Sequence, residues 1–174
     1  EAQEKARQAD AAKDAKALWQ QAEKLMVVGA TAYGTGVPEK LAAEGENPFA
    51  DADQAWQQAS ATYTKARAYA EGVQGLRKAR AEYEALWRDR PWRDDVLSAE
   101  GKTTDRARLT ALLDQHGGAK WLATKQALAS ATVLERGEDW KKAAVKVAEA
   151  TVSLSEAVEM ADRTFRKSAY DKAR

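Results

Sequence analysis

The chain has 174 residues with 28 basic and 27 acidic side chains, and its formal charge of +1 provides no field that would hold a nucleic acid or an anionic membrane. It contains no cysteine, which excludes disulfide frameworks and thiolate metal sites, and no apolar run approaches the ~18 residues that a membrane span needs. With 39 alanines and no isoleucine, the composition favours helix nearly throughout and suggests a bacterial protein. Composition leaves the compartment open, and we favour the cytoplasm.

A short pattern recurs along the chain: Trp-Gln-Gln-Ala at 19–22 and 56–59, and Trp-Lys-Lys-Ala at 140–143. Each Trp opens a run of small apolar residues at spacings of three and four, which is typical of a helix face that packs against another helix. We therefore assign four tryptophans to the core rather than to a groove for a partner helix. They are Trp19, Trp56, Trp121 and Trp140. The unequal intervals indicate degenerate helical-hairpin repeats rather than a regular solenoid.

The first predicted helix runs from Glu1 to Tyr33, and Gly29 is the first residue in it that could interrupt a helix. Its apolar stripe begins at Ala12 and keeps heptad spacing. Three earlier alanines lie off that stripe, so we expect the first two turns to stand free or to fray. They are Ala2, Ala6 and Ala9.

Residues 34–47 form the first predicted connection, because Gly34, Gly36 and Pro38 end the preceding helix. Asn47 is then suited to cap the next helix. Flexible connections of this kind are preferred sites of proteolytic nicking. Regulated cleavage of the segment is one hypothesis, and a plain linker is the alternative.

The second long helix is predicted from Pro48 to Arg88. Its apolar stripe shifts by one residue near Gly72 and Gly75, and two glycines inside a helix each cost about 1 kcal/mol relative to alanine. We expect a packing contact or a bend at this point.

Arg90-Pro91 ends that helix, because the residue before proline disfavours the helical region. A second flexible connection, about 89–103, follows and is dense in charge. Exposed Trp and Arg side chains dominate binding energy at protein interfaces, so we place a candidate partner-binding site here. Its residues are Arg88, Arg90, Trp92 and Arg93. The alternative is that Trp92 folds back over the helix ends, and for Trp87, which is still helical, we favour the core.

Three further helices complete the pattern. The first starts at a cap on Thr103 or Thr104 and reaches about Gln115, where His116-Gly117-Gly118 is a stop signal. The second spans 119–135 and ends in a tight turn at 136–138. The last runs over about 139–170 with the most regular stripe of the chain.

Candidate chemistry is sparse. His116 is the only histidine, and its place at a helix end, where the dipole favours it, accounts for it without catalysis or metal binding. A di-metal bundle needs Glu-x-x-His on two helices, and neither copy is present. Glu138 and Asp139 are suited to a helix start, and Asp94 and Asp95 to a solvated loop. We therefore expect no catalytic, cofactor or metal site in this chain.

These observations predict an all-α fold, an elongated antiparallel helical bundle with three long and two shorter helices, forming one domain over 1–174 that belongs to a larger protein. The function they favour is a non-enzymatic interaction or spacer module that binds another protein or another domain of the same protein. Two alternatives are a coiled-coil oligomeric structural protein and the helical regulatory part of an enzyme whose active site lies elsewhere.

Overall fold

The computed structural model describes residues 1–35, 49–89 and 106–173, and this part of the chain is all-α. Its seven helices are α1 (Ala2–Gln8), α2 (Ala11–Asp14), α3 (Lys16–Thr35), α4 (Ala50–Asp89), α5 (Arg106–His116), α6 (Gly118–Arg136) and α7 (Trp140–Ala173). The all-α prediction is confirmed. The predicted caps at Asn47 and at Thr103 or Thr104, and most of both predicted connections, lie outside the described residues.

The turn between α6 and α7 falls where Arg136-Gly-Glu138 predicted it. The amide of Glu138 donates to the carbonyl of Glu135 at 3.0 Å, and Glu138 itself adopts a left-handed conformation with φ of 57°. Asp139 then accepts a hydrogen bond from the amide of Lys142 at 3.3 Å, and so caps the first turn of α7. The helix start therefore accounts for this acidic pair, as expected from the sequence.

The chain divides into two compact units, Glu1–Val73 and Gln74–Arg174. The boundary lies inside the continuous helix α4, between Gly72 and Gly75, where the apolar stripe shifts by one residue. Gly72 is buried, and a Cβ on Gly75 would lie 3.9 Å from the Cβ of Ala144. The shift in the sequence pattern thus coincides with the point where α4 passes from one core to the other.

In unit 1 the chain reverses between α1 and α3, contrary to the predicted single helix. The side-chain amide of Gln3 donates to Glu23 at 3.0 Å, whereas residues twenty apart in a continuous helix would lie ~30 Å from each other. Asp10, with φ of 54°, and Ala15, with φ of −127°, interrupt the helix. Sequence rules missed this because the segment contains no Gly or Pro.

Consequently the expectation that the first two turns stand free is wrong. Ala6 is fully buried, and α1 packs into the same cluster as α2, α3 and the first half of α4. The buried members of this cluster are Ala6, Ala11, Ala15, Ala22, Ala59, Tyr63, Ala66 and Ala70. Since seven of these eight side chains are single methyl groups, the helices approach closely and Tyr63 supplies the bulk.

Tyr63 is 1% exposed, and its hydroxyl donates to the carboxylate of Glu23 at 2.5 Å. The ring of Trp19 packs edge-on against it, with centroids 5.2 Å apart. Burial and then the hydrogen bond to Glu23 raise the pKa of Tyr63 well above the ordinary value for tyrosine. Glu23 also accepts from Gln3, so one carboxylate links α1, α3 and α4.

We expect the protein to lose stability as the pH rises above about 10, the pKa of an unfolded tyrosine. Because the folded state raises the pKa of Tyr63, its neutral phenol contributes stability that is complete below that pH and declines above it. Tyr63→Phe should weaken this alkaline loss, whereas Tyr170→Phe, at a side chain 60% exposed, should leave it unchanged. Urea midpoints measured between about pH 8 and 11 test this, and an equal alkaline loss in the parent and Tyr63→Phe would contradict it.

Unit 2 has a core of larger side chains. Leu113, Val147 and Leu154 are each about 1% exposed, and α6 and α7 pack together as a helical hairpin on either side of the tight turn. Thr124 is the one buried polar side chain in the described part of the chain, and its hydroxyl donates to the carbonyl of Lys120 at 3.0 Å. The buried hydroxyl is therefore satisfied within its own helix.

The corner between α5 and α6 depends on two glycines. Gly118 adopts φ of +55°, which non-glycine residues rarely adopt, and a Cβ on Gly117 would lie 2.6 Å from the carbonyl oxygen of Leu113. The predicted stop at His116-Gly117-Gly118 is confirmed, because α5 ends at His116.

The core assignment of the tryptophans holds fully for Trp121 alone, which is 7% exposed. Trp19, Trp56 and Trp140 are half-buried, at the margin of their contacts. In each Trp-x-x-Ala frame the alanine is the residue that is fully buried; these alanines are Ala22, Ala59 and Ala143. The frame therefore marks a close helix approach at alanine with the indole packed beside it.

Candidate functional site

The partner-binding site predicted from the sequence lies mostly outside the described residues. Arg90, Trp92 and Arg93 are among those not described, and Arg88 is exposed in the last turn of α4. The structure describes the side chains that precede and follow this segment, which belong to the end of α4 and the start of α5.

Arg106, the first residue of α5, binds two side chains of α4. Its guanidinium forms a bidentate pair with the carboxylate of Glu84, at 2.9 and 3.3 Å, and lies over the ring of Trp87, 4.7 Å from its centroid. Both partners of the ion pair are more than half exposed, so we expect it to contribute at most about 1 kcal/mol. Its consequence is geometric, because it joins the start of α5 to the last turns of α4.

Trp87 connects these anchors to the core of unit 2. Its ring makes edge-to-face contacts with Tyr83 and Trp121, at centroid distances of 6.3 and 6.2 Å. It is half-buried and packs against the core cluster, which confirms the assignment favoured from the sequence. The end of α4 is thus held in place by an aromatic contact as well as by charge.

Trp121, which contacts Trp87, takes part in a polar arrangement with α5. Its indole N–H donates to the carboxylate of Asp114 at 2.6 Å, and Lys125 donates to the same oxygen at 2.9 Å. The Lys125 ammonium also lies 5.4 Å from the centre of the Trp121 ring. The hydrogen bond from Lys125, followed by that from Trp121, lowers the pKa of Asp114. Asp114 therefore stays ionised and ties the end of α5 to α6.

A cleft of about 280 Å³ opens in unit 2 beside these anchors. It is lined by Arg80, Tyr83, Glu84, Arg106, Leu128, Ala131, Thr132 and Val147. Burial raises the pKa of Tyr83, so its phenol is protonated near neutral pH, while Glu84 is paired with Arg106 and Arg80 with Glu135. The cleft therefore presents a phenol, paired charges and apolar side chains.

His116 ends α5 and packs edge-on against Phe165 of α7, with ring centroids 6.4 Å apart. This contact and the helix end give the histidine a structural environment. Within residues 1–35, 49–89 and 106–173, no three His, Asp or Glu side chains converge in a way that could hold a metal ion. In the same ranges no helix has the length and apolar character needed to cross a membrane.

The contacts of Arg106 with Glu84 and Trp87 were not predicted from the sequence. Residues 84 and 106 belong to different helices, so no helical spacing rule relates them. A usable signal would have been the position of Trp87 and Arg106 immediately on either side of the predicted connection, since an aromatic ring and a guanidinium at such points can stack.

No protein-family model, no curated protein and no solved structure matches this chain.

Proposed function

We propose that this chain is a non-enzymatic helical module that binds another protein, or another domain of the same protein, and acts as a spacer within a larger protein. The observation that carries the proposal is the contact of Arg106 with Glu84 and Trp87, described residues that precede and follow the 90–105 segment in the chain. A segment whose ends are held together loses less conformational entropy on binding than a free chain of equal length.

The sequence of that segment supplies the binding chemistry. Trp92 and the neighbouring Arg90 and Arg93 belong to the residue types that contribute most to binding energy at interfaces. Arg88 is exposed directly before the segment, so it extends the same basic and aromatic surface. The flanking acids Asp89, Asp94 and Asp95 favour a protein partner over a nucleic acid.

The spacer role rests on α4, whose 40 residues correspond to a length of ~60 Å. We propose that the chain as a whole is an elongated antiparallel bundle derived from degenerate helical hairpins. The supporting observation is that the alanine of each Trp-x-x-Ala frame, Ala22, Ala59 or Ala143, is equally buried. A fixed length of this kind would separate whatever the chain joins.

We expect the double variant Trp92→Ala, Arg93→Ala to lose a partner that the parent chain captures from a lysate of the source organism. A control, Leu122→Ala, Arg136→Ala, removes one large apolar side chain and one arginine from exposed positions of α6 and should capture that partner as the parent does. Circular dichroism verifies that all three proteins are helical. Equal capture by parent and double variant would move the interface to a helix face, and no capture by any of them would favour the spacer role alone.

A coiled-coil oligomer is the second candidate, and one feature of α7 favours it. Val145 and Val152 are more than half exposed and lie one heptad apart on the same side of the helix, with exposed Ala148 between them. If two chains paired through these three residues, the contact would bury apolar surface. The mass of a single chain at every protein concentration measured would contradict this candidate.

A further inference from the structure

In the N-terminal hairpin of unit 1, local helix propensity and tertiary contacts favour different backbone conformations. Residues 2–28 contain no Gly or Pro and are rich in alanine, so local propensity favours one continuous helix. The folded chain instead interrupts the helix at Asp10, a non-glycine residue at φ of 54°, and again at Ala15. An L-residue in the left-handed region is disfavoured, and aspartate tolerates it better than most.

Tertiary contacts offset this local preference. Reversal brings Ala6 and Ala11 to full burial in the cluster of unit 1, and it places Gln3 against Glu23. Glu23 in turn accepts the hydroxyl of Tyr63. The surface that α1 covers is therefore matched to α1 in shape, through its alanines, and in polarity, through one specific hydrogen bond.

Straightening the helix at 9–15 would leave this surface uncovered. In a continuous helix Gln3 would lie ~30 Å from Glu23 of its own chain, too far for any contact between them. The segment able to make the same contacts is then α1 of a second copy, which has the same alanines and the same Gln3. Two copies exchanging α1 reciprocally would restore the contacts of α1, including those of Ala6 and Gln3, while removing the left-handed residue.

We propose that unit 1 self-associates by exchange of α1, with the 9–15 segment straight in the dimer and reversed in the monomer. The partner is a second copy of this chain, and its α1 docks on Glu23, Tyr63 and the surrounding alanines. The inference goes beyond the proposed function, because it involves neither the 90–105 segment nor α7.

Two substitutions at one residue test the proposal. Asp10→Ala is strained in the left-handed conformation and favours the straight helix, whereas Asp10→Gly accommodates the reversal and disfavours the helix. After refolding from urea at a series of protein concentrations, sedimentation equilibrium should give Asp10→Ala a dimer dissociation constant at least about tenfold lower than that of Asp10→Gly. Circular dichroism verifies that both variants are folded.

Cross-linking identifies the contact in the dimer. Because the chain has no cysteine, Gln3→Cys in one copy and Glu23→Cys in another can be joined by a short bis-maleimide after refolding as a mixture in the Asp10→Ala background. The proposal expects a covalent 3–23 heterodimer, and it expects little product from the same mixture in the Asp10→Gly background. It is overturned if Asp10→Ala remains monomeric up to about 1 mM, if both variants dimerise equally, or if the dimer forms without the 3–23 product.

Discussion

Replacing Trp121 by alanine is expected to destabilise unit 2 by about 3–5 kcal/mol, the range for removal of a large buried aromatic side chain. The indole is 7% exposed, packs edge-on against Trp87 and donates to Asp114. Its removal leaves a cavity next to the corner of α5 and α6, where Gly117 permits a close approach to the Trp121 side chain. Domains of this size are typically stable by about 5–15 kcal/mol, so the variant would lose a large part of its stability.

The neighbouring residue provides the control for this prediction. Leu122 lies on the same helix and is 53% exposed, so Leu122→Ala should change the free energy of unfolding by no more than about 0.5 kcal/mol. Urea unfolding followed by far-UV circular dichroism measures both variants. A loss below about 1 kcal/mol for Trp121→Ala, or equal losses for the two, would contradict the described packing of α6.

Gly29→Ala is expected to destabilise unit 1 by about 1–3 kcal/mol, although alanine is the better helix former. Gly29 is buried in α3, and a Cβ there would lie 2.4 Å from both Cδ1 and Nε1 of Trp56. The indole of Trp56 cannot move without cost, because the Tyr33 ring packs against it with centroids 5.7 Å apart. The Tyr33 ring is itself stacked on Phe49, with centroids 4.9 Å apart. Overpacking should therefore outweigh the gain of about 1 kcal/mol in helix propensity.

The same substitution at Gly75 should instead increase the free energy of unfolding. A Cβ there would meet only Ala144, at an ordinary contact distance of 3.9 Å, so Gly75→Ala should stabilise the protein by about 0.5–1 kcal/mol. A double-mutant cycle then isolates the clash, because Gly29→Ala in a Trp56→Leu background should be neutral or stabilising. An equal loss from Gly29→Ala in both backgrounds would show that the indole is not what excludes the methyl group.

The positions of the later helices could be predicted from the sequence because their signals are local. A helix predicted over 119–135 is observed over Gly118–Arg136, and the glycines that end α5 and α6 lie where the pattern placed them. Asp139, predicted at a helix start, caps α7. Each signal depends on residues within one or two turns of each other, so no knowledge of tertiary contacts is required.

The apolar stripe of the first predicted helix indicates less reliably which residues are buried. Ala15, Ala22 and Gly29 are buried as the heptad spacing predicts. Ala12, where the predicted stripe begins, is exposed, and Met26 and Tyr33 at later positions of the same stripe are 37% and 54% exposed. The reason is that α3 packs largely through alanine and glycine, and the close approach these allow leaves larger side chains of the same stripe at the margin. Periodicity identifies a face, but the size of the contacting residues decides which members of it are covered.

For the candidate site, too, the sequence indicated the residue types, whereas the contacts between helices depend on the fold. Its residue types, Trp92 with Arg88, Arg90 and Arg93, were chosen from composition and position alone. The pairing of Arg106 with Glu84 could not be predicted, because this contact joins two helices. Only the folded chain brings the two together.

The sequence by itself determined that the chain is helical and where α4, α6 and α7 lie, because helix propensity, capping and periodicity are local properties. The tertiary structure decided that α1 reverses onto α3, which tryptophan is fully buried and which charges pair around Trp87. These outcomes depend on contacts between residues distant in the chain. At Asp10 such contacts outweigh a local preference for continuous helix, because reversal buries α1 and satisfies Gln3, Glu23 and Tyr63 together.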